Sequence, residues 1–350
     1  MDTAFVKASI VIASPGDVLY SRLGHAFFRM ECPAYDLDYC FSYESESIKN
    51  KVLRFIIGDL KMGMTAVPTA DLFQMYQKSG RTLSLYNLNL ADSQKRRLWK
   101  LLDDKVGRGM NLPYDYVARG CAYSCLTILE EALYPASITY TDWPGYFLMT
   151  RRELVKRQLM DYPCTRFLLD FLAGSEGDRN VSCKEKVVTP TDLLYVFQHS
   201  MVDGHYLCDT DASLLLDETV ILPKRQFNLP LLCSILLLAL TLWCVCFKKH
   251  FHEYILLTLQ FSVGVFLTYM IVFSSLPCTE WNWLYIAFNP LPLLMWKWRR
   301  YWIIPYVVTL AAFVLIQMFY PHKIMESADS ILIVCFIVML LFNFINIKKV

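Results

Sequence analysis

The sequence is short of every pattern that would hold a metal ion. It contains no Cys-x-x-Cys pair, no His-x-x-x-His and no His-Glu-x-x-His. Cys244 and Cys246 merely flank Val245 within an apolar run, so no metal and no cofactor is expected. An excess of one charge is missing too: 34 Lys and Arg stand against 32 Asp and Glu, for a net charge of +2. No basic stretch is interleaved with aromatics, which argues against a nucleic-acid partner. Internal repeats and low-complexity tracts are absent. The opening residues MDTAFVKASIVIASPGD lack the basic flank and unbroken apolar core of a signal peptide, because Lys7 interrupts them, and they read as a first strand.

What the chain has in abundance is apolar residues, 55% of 350, concentrated at one end. Two modules are expected, residues 1–227 and 228–350. The second divides into five apolar spans, Leu229 to Phe247, Tyr254 to Phe273, Trp281 to Trp296, Tyr301 to Tyr320 and Ile331 to Ile347, each near the length a helix needs to cross a bilayer. Asn289, Pro290 and Pro292 interrupt the third, for which a kinked helix is expected. Lys248, Lys249, Lys297, Arg299, Arg300, Lys348 and Lys349 gather in alternate connections. The positive-inside rule then puts the C-terminus in the cytoplasm and residues 1–227 outside it; Lys224 and Arg225 oppose this weakly.

Residues 1–227 read as α+β, with a core over about 1–135 and an accessory half over 136–227. Strands are expected at 4–13, 24–30, 37–45 and 81–90, from β-branched density and alternation. Thr69 reads as the cap of a helix ending at Gly80, and a second helix runs through Leu98, Leu102 and Val106 to Gly107. Helices are also expected over 150–160, 165–174 and 189–200.

Seven of the 12 cysteines fall in residues 1–227. The stretch YDYVARGCAYSCLTILEEAL holds two of them one helical turn apart. A helix starting near Ala122 leaves Cys121 among first-turn amides at the positive end of the helix, which lowers a thiol pKa and favours an oxyanion. Cys125 lies a turn deeper with Ile128 and Ala132, as core. His25 follows Gly24 on a strand that it shares with Phe27 and Arg29, and it is the histidine best placed to serve as base. By themselves one Cys and one His leave both a catalytic and a buried-core reading open.

The segments SPGDVLYSRLGHAFFRM, FIIGDLKMGM, SGRTLSLYNLNL, YDYVARGC and DYPCTRFLLDFLAGSEGD, followed by spans with AFNPLPLL in the third, resemble in order the bacterial Lnb family of lipoprotein N-acyltransferases. The resemblance implies a permuted papain-like cysteine-enzyme domain, periplasmic, ahead of an all-α five-helix transmembrane domain in the inner membrane. It implies Cys121 as nucleophile, His25 of Gly-His-x-x-x-Arg as base and Arg29 as a nearby support. Asp38, Ser42 and Glu44 share a strand face, and Glu44 is the expected orienting residue. Gly120, Ala122 and Tyr123 replace the Asn and small hydroxyl residues that many members carry around the cysteine. Tyr114 and Tyr116 read as packing. The implied donor is a phospholipid and the implied acceptor a diacylglyceryl-lipoprotein, both within the lipid bilayer.

Two alternatives compete. A cell-wall cysteine amidase or peptidase uses the same residue pair on the same scaffold. A non-enzymatic membrane protein would pair Cys121 with Cys125, or Cys32 with Cys40, although cysteines at i and i+4 of one helix are poorly aimed at each other.

Overall fold

The computed structural model describes residues 6–16, 21–46, 51, 53–54, 57–109, 111–113, 120–141, 149–217, 226–276, 279–320 and 325–347. Tyr114, Tyr116, Lys224, Arg225, Lys323, Lys348 and Lys349 lie outside them. By contact the chain forms two compact units, residues 1–149 with 180–224 and residues 150–179 with 225–350.

The first unit is built on an antiparallel sheet. Its strands are β1 (Lys7–Ala13), β2 (His25–Cys32), β3 (Leu37–Ser45), β4 (Lys61–Pro68), β5 (Leu83–Asn87), β6 (Leu112–Pro113) and β9 (Ser213–Leu216), in the order β6-β4-β3-β2-β1-β5-β9. β7 (Met201–Val202) and β8 (His205–Tyr206) form a separate hairpin. The three strands expected at the N-terminus and the one near 81–90 are present. β4, with Gly63 in the middle and Pro68 at its end, carries little β signal, and it forms because β3 supplies a full antiparallel partner from Tyr39 to Ser45.

Alternation on β2 sorts its side chains to two cores. Ala26, Phe28 and Met30 are buried with Ala122, Cys125 and Leu126 of helix Cys121–Leu133, and with Leu98 and Leu102 of helix Asp92–Gly107. Phe27 is buried on the other face with Leu72 and Tyr76 of helix Thr69–Lys78. At roughly 1.5–3 kcal/mol for each fully buried large side chain, the two layers fix the register of β2, since a one-residue slip would exchange them. Thr69 is not a cap: Pro68 occupies that position, and the Thr69 hydroxyl donates to Asp38 at 2.5 Å. Gly24 has a φ of +83°, and a Cβ there would lie 2.9 Å from the Ala13 carbonyl oxygen, so glycine alone turns the chain tightly into His25.

Among the described residues of the second unit, four helices are long and apolar enough to cross a membrane. They are Leu229–Cys246, Phe251–Phe273, Arg299–Phe319 and Ser327–Ile347. The third expected span is not a helix. It is a 3-10 turn at Trp283–Ile286, a four-residue helix at Leu291–Leu294 and a second 3-10 turn at Trp296–Trp298. Pro290 and Pro292 remove amide donors there, and the freed carbonyls are met from neighbouring helices. Gln260 Nε2 donates to the Ala287 carbonyl at 2.6 Å, and the Tyr306 hydroxyl shares its one proton between the Ile286 and Ala287 carbonyls, 3.1 Å from each. Gly264 lets the segment approach, since a Cβ on it would stand 2.6 Å from the Asn289 carbonyl carbon.

Helices Arg151–Gln158 and Pro163–Leu172 belong to this unit. Buried Arg152 bonds Asp170 at 3.0 Å and Asp178 at 2.5 Å, and Lys156 bonds Asp170 at 2.9 Å. Arg166 pairs with Glu326, just before the last helix, at 2.8 Å. Asn282 donates to the Phe171 carbonyl at 2.7 Å.

Candidate active site

Cys121 is the first residue of its helix, as the glycine and apolar spacing lead one to expect, with Gly120 as an extended N-cap. Among the described residues no side chain caps that end, so the first-turn amides are left to another acceptor. The sulfur takes backbone hydrogen bonds from Ala26 and Ala122 and a side-chain hydrogen bond with His25. The two chain segments thus meet where β2 begins. Desolvation pushes the Cys121 thiol up, but the imidazolium and the amides outweigh it, and its pKa lies below that of an ordinary thiol.

His25 is partly buried, its side chain 17% exposed. Burial disfavours its charge, and Tyr76, Cys121 and Glu44 together outweigh that, holding the imidazole well above the usual histidine range. The two opposed shifts are those of a thiolate–imidazolium pair.

Behind His25 the hydrogen bonds run in one direction. Ser42 Oγ donates to Glu44 Oε1 at 2.8 Å and lies 2.7 Å from His25 Nε2. A hydroxyl has one proton to give, so Nε2–H donates to Ser42 and Nδ1 is left for the sulfur. Glu44 Oε1 stands 3.6 Å from Nε2. Burial raises its carboxyl pKa, but bonding to His25 and Ser42, with the field of Arg81, brings it below the usual carboxylate range.

The structure therefore brings Cys121, His25 and Glu44 together, with Ser42 between the last two. It does not bring Arg29 into that group. Arg29 makes two hydrogen bonds to Asp38, at 2.8 and 2.7 Å, and approaches Glu31 at 3.2 Å and the Phe73 ring at 5.9 Å. Asp38 is occupied by Arg29 and Thr69. Both lie further along the sheet, as a structural ion pair.

Cys125 is buried in the core beneath Ala26, its thiol 3.7 Å from the Ala26 carbonyl oxygen, and burial pushes it well above the ordinary thiol range. It forms no disulfide. Neither does Cys32 or Cys40, which face opposite cores of the sheet. Among the described residues no cluster of three His, Cys, Asp or Glu could hold a metal.

A cavity of about 150 Å³ opens at Cys121 and His25, walled also by Ser21, Glu44, Tyr76, Arg81, Met62 and Pro190. Gly120 lines it, and a Cβ there would meet only the Val188 carbonyl oxygen at 3.7 Å. Its missing side chain leaves room beside the sulfur rather than relieving a backbone clash. Sequence reasoning missed Tyr76 and Arg81. Tyr76 sits a turn from Leu72 and reads as core, and Arg81 follows the Ser79-Gly80 turn like any solvated residue. Only the return of that turn toward β1 brings them here.

Residues 1–157 match the model of the Lnb N-terminal periplasmic domain. This part of the chain is an Lnb-type domain. No curated protein and no solved structure matches the chain. The matched region contains Cys121, His25, Ser42, Glu44, Tyr76 and Arg81, Pro190 of the cavity wall lies beyond it, and among the described residues four membrane-length helices follow. The chain therefore carries an Lnb-type periplasmic domain at its N-terminus ahead of helices long and apolar enough for a multi-pass membrane protein.

Proposed function

We propose that this protein is a membrane-bound lipoprotein N-acyltransferase that works through a thioester on Cys121. The observation that carries the reading is the hydrogen-bonded Cys121–His25 pair at a helix start, with amide donors from Ala26 and Ala122 at the sulfur. A permuted papain-like arrangement, with the base ahead of the nucleophile in sequence, agrees with this order.

In the first half-reaction the Cys121 thiolate attacks the ester carbonyl of a phospholipid. The ester C–O bond breaks, and the His25 imidazolium protonates the departing oxygen, leaving a thioester and a lysophospholipid. In the second, the α-amine of a diacylglyceryl-cysteine lipoprotein attacks the thioester and gives its proton to His25. The C–S bond breaks, an amide forms, and the thiolate returns. Amides at a helix start, already aimed at the sulfur, are suited to the negative charge that develops on the carbonyl oxygen in each half.

Size supports a membrane-bound substrate. The cavity of about 150 Å³ is smaller than the roughly 300–1,000 Å³ of sites that enclose a whole small ligand. It takes the reacting ester and its neighbouring atoms, while the acyl chains stay in the bilayer. Tethering to the membrane helices confines enzyme and both substrates to one surface and raises their effective concentration. The positive-inside rule puts Lys248, Lys249, Lys297, Arg299 and Arg300 on the cytoplasmic side, an orientation that requires the non-helical third segment to cross between the second and third long helices and leaves the C-terminus cytoplasmic.

Mass spectrometry of lipoprotein N-termini tests the proposal, in cells lacking any other N-acyltransferase. Wild type and Cys125→Ala should give N-acylated lipoproteins and Cys121→Ala none. Unchanged acylation in Cys121→Ala would sink the reading, and cleavage of wall peptides by wild type alone would favour the amidase.

A further inference from the structure

The cavity beside Cys121 contains a cation with an unused donor. Arg81 is only 9% exposed. Its Nε donates to the Ser14 carbonyl at 2.7 Å, and its guanidinium carbon lies 4.8 Å from the centroid of the Tyr76 ring. Among the described residues, buried Nη2 finds no hydrogen-bond acceptor. Leaving a buried charged donor unmet is destabilising, so the position is poorly explained by stability. Arg81 is also held in place: Gly16 and Ser21 close around it, with a Cβ on Gly16 reaching to 3.2 Å from the arginine Cδ.

Resting on the acyl-transfer reading above, we propose that Arg81 is the donor-binding residue of this cavity, holding the phosphodiester of a glycerophospholipid while Cys121 attacks a neighbouring acyl ester. A planar guanidinium whose Nε is already anchored offers its outer edge to an anion in a fixed direction. The nearest carboxylate in the cavity wall, Glu44, is bonded to Ser42 and turned toward His25, and does not accept from Arg81. An acidic peptide would engage Arg81 alone, whereas a glycerophospholipid carries on one glycerol both an ester for Cys121 and a phosphate for Arg81. The positive field of Arg81 already reaches both Glu44 and Tyr76.

The test is protection of Cys121 from iodoacetamide in the full chain in a non-ionic detergent, read on the Cys121 peptide by mass spectrometry. Glycerophosphocholine, inorganic phosphate, an acidic acetyl-peptide and glycerol are the probes, each compared with the same protein without probe. Glycerophosphocholine should slow wild-type alkylation, and about tenfold more of it should be needed for Arg81→Gln. Arg81→Lys, which keeps the charge, should fall between them and covers the case in which the glutamine variant fails to fold. Equal protection of all three proteins would overturn the inference. So would protection by phosphate or the peptide alone, or no protection of wild type. A separate incubation with phospholipid vesicles looks for a hydroxylamine-labile adduct on Cys121. Arg81-dependent protection without an adduct removes the acyl-transfer reading, whereas an adduct with Arg81-independent protection removes only the role of Arg81.

Discussion

Ser42 stands between His25 and Glu44, 2.7 Å from the imidazole Nε2 and donating to the carboxylate at 2.8 Å. The carboxylate therefore orients the histidine mainly through a hydroxyl, and the tautomer follows from the direction of that one proton. Replacing Ser42 by Ala removes a hydrogen bond worth about 1.4 kcal/mol, which corresponds to roughly tenfold in rate. The iodoacetamide rate at Cys121 should fall by that order near neutral pH. Ser42→Thr keeps the hydroxyl and should restore most of it, which a merely structural role would not require.

The paired shifts at Cys121 and His25 set a pH dependence. A thiol whose pKa is lowered stays ionised as pH falls through the ordinary thiol range, so alkylation should persist well below the pH at which a free cysteine stops reacting. His25→Ala removes the cation, leaves burial opposing the thiolate, and should move the profile of Cys121 upward. A profile unchanged by His25→Ala would show that the helix amides alone hold the thiolate.

Arg29 and Asp38 should matter to stability and not to the thiol. The Asp38 carboxyl is desolvated, but the bonds from Arg29 and Thr69 prevail and hold it below the usual carboxylate range. A depressed carboxyl contributes stability above its unfolded pKa and loses it as pH falls through the folded one. Arg29→Leu should therefore cost about 1 kcal/mol near neutral pH, an amount that shrinks on acidification, with Cys121 alkylation unaltered. Thermal unfolding at two pH values and the alkylation rate check both halves.

In the helical unit, Gly264→Val should be among the most damaging single changes. Its side chain would be driven into the Asn289–Pro290 backbone, already 2.6–2.8 Å from a bare Cβ, and overpacking of this kind costs about 1–3 kcal/mol. Tyr306→Phe is the milder companion. It deprives the Ile286 and Ala287 carbonyls of a donor while Gln260 still serves Ala287. Unfolding in detergent should rank the two in that order.

The α+β character, the strands around His25, the helix start at Cys121 and four of the five apolar spans are local properties. Alternation, a glycine before an apolar period and hydrocarbon-length runs each state them within a few residues of chain, so the sequence alone determined them. Glu44 and Ser42 were legible as neighbours on one strand face, but which of them touches the histidine depends on the register of β3 against β2. The tertiary structure decided the rest, because the forces concerned act between distant segments. Arg29 is drawn to Asp38 across a strand pair, and Arg81 reaches the cavity only because its turn folds back on Ser14. The third apolar span gives up its helix because Gln260 and Tyr306 can satisfy its carbonyls. Residues 150–179 fold with the long helices because Glu326 binds Arg166 and Asn282 donates to the Phe171 carbonyl, pairings between parts of the chain that no window of sequence contains.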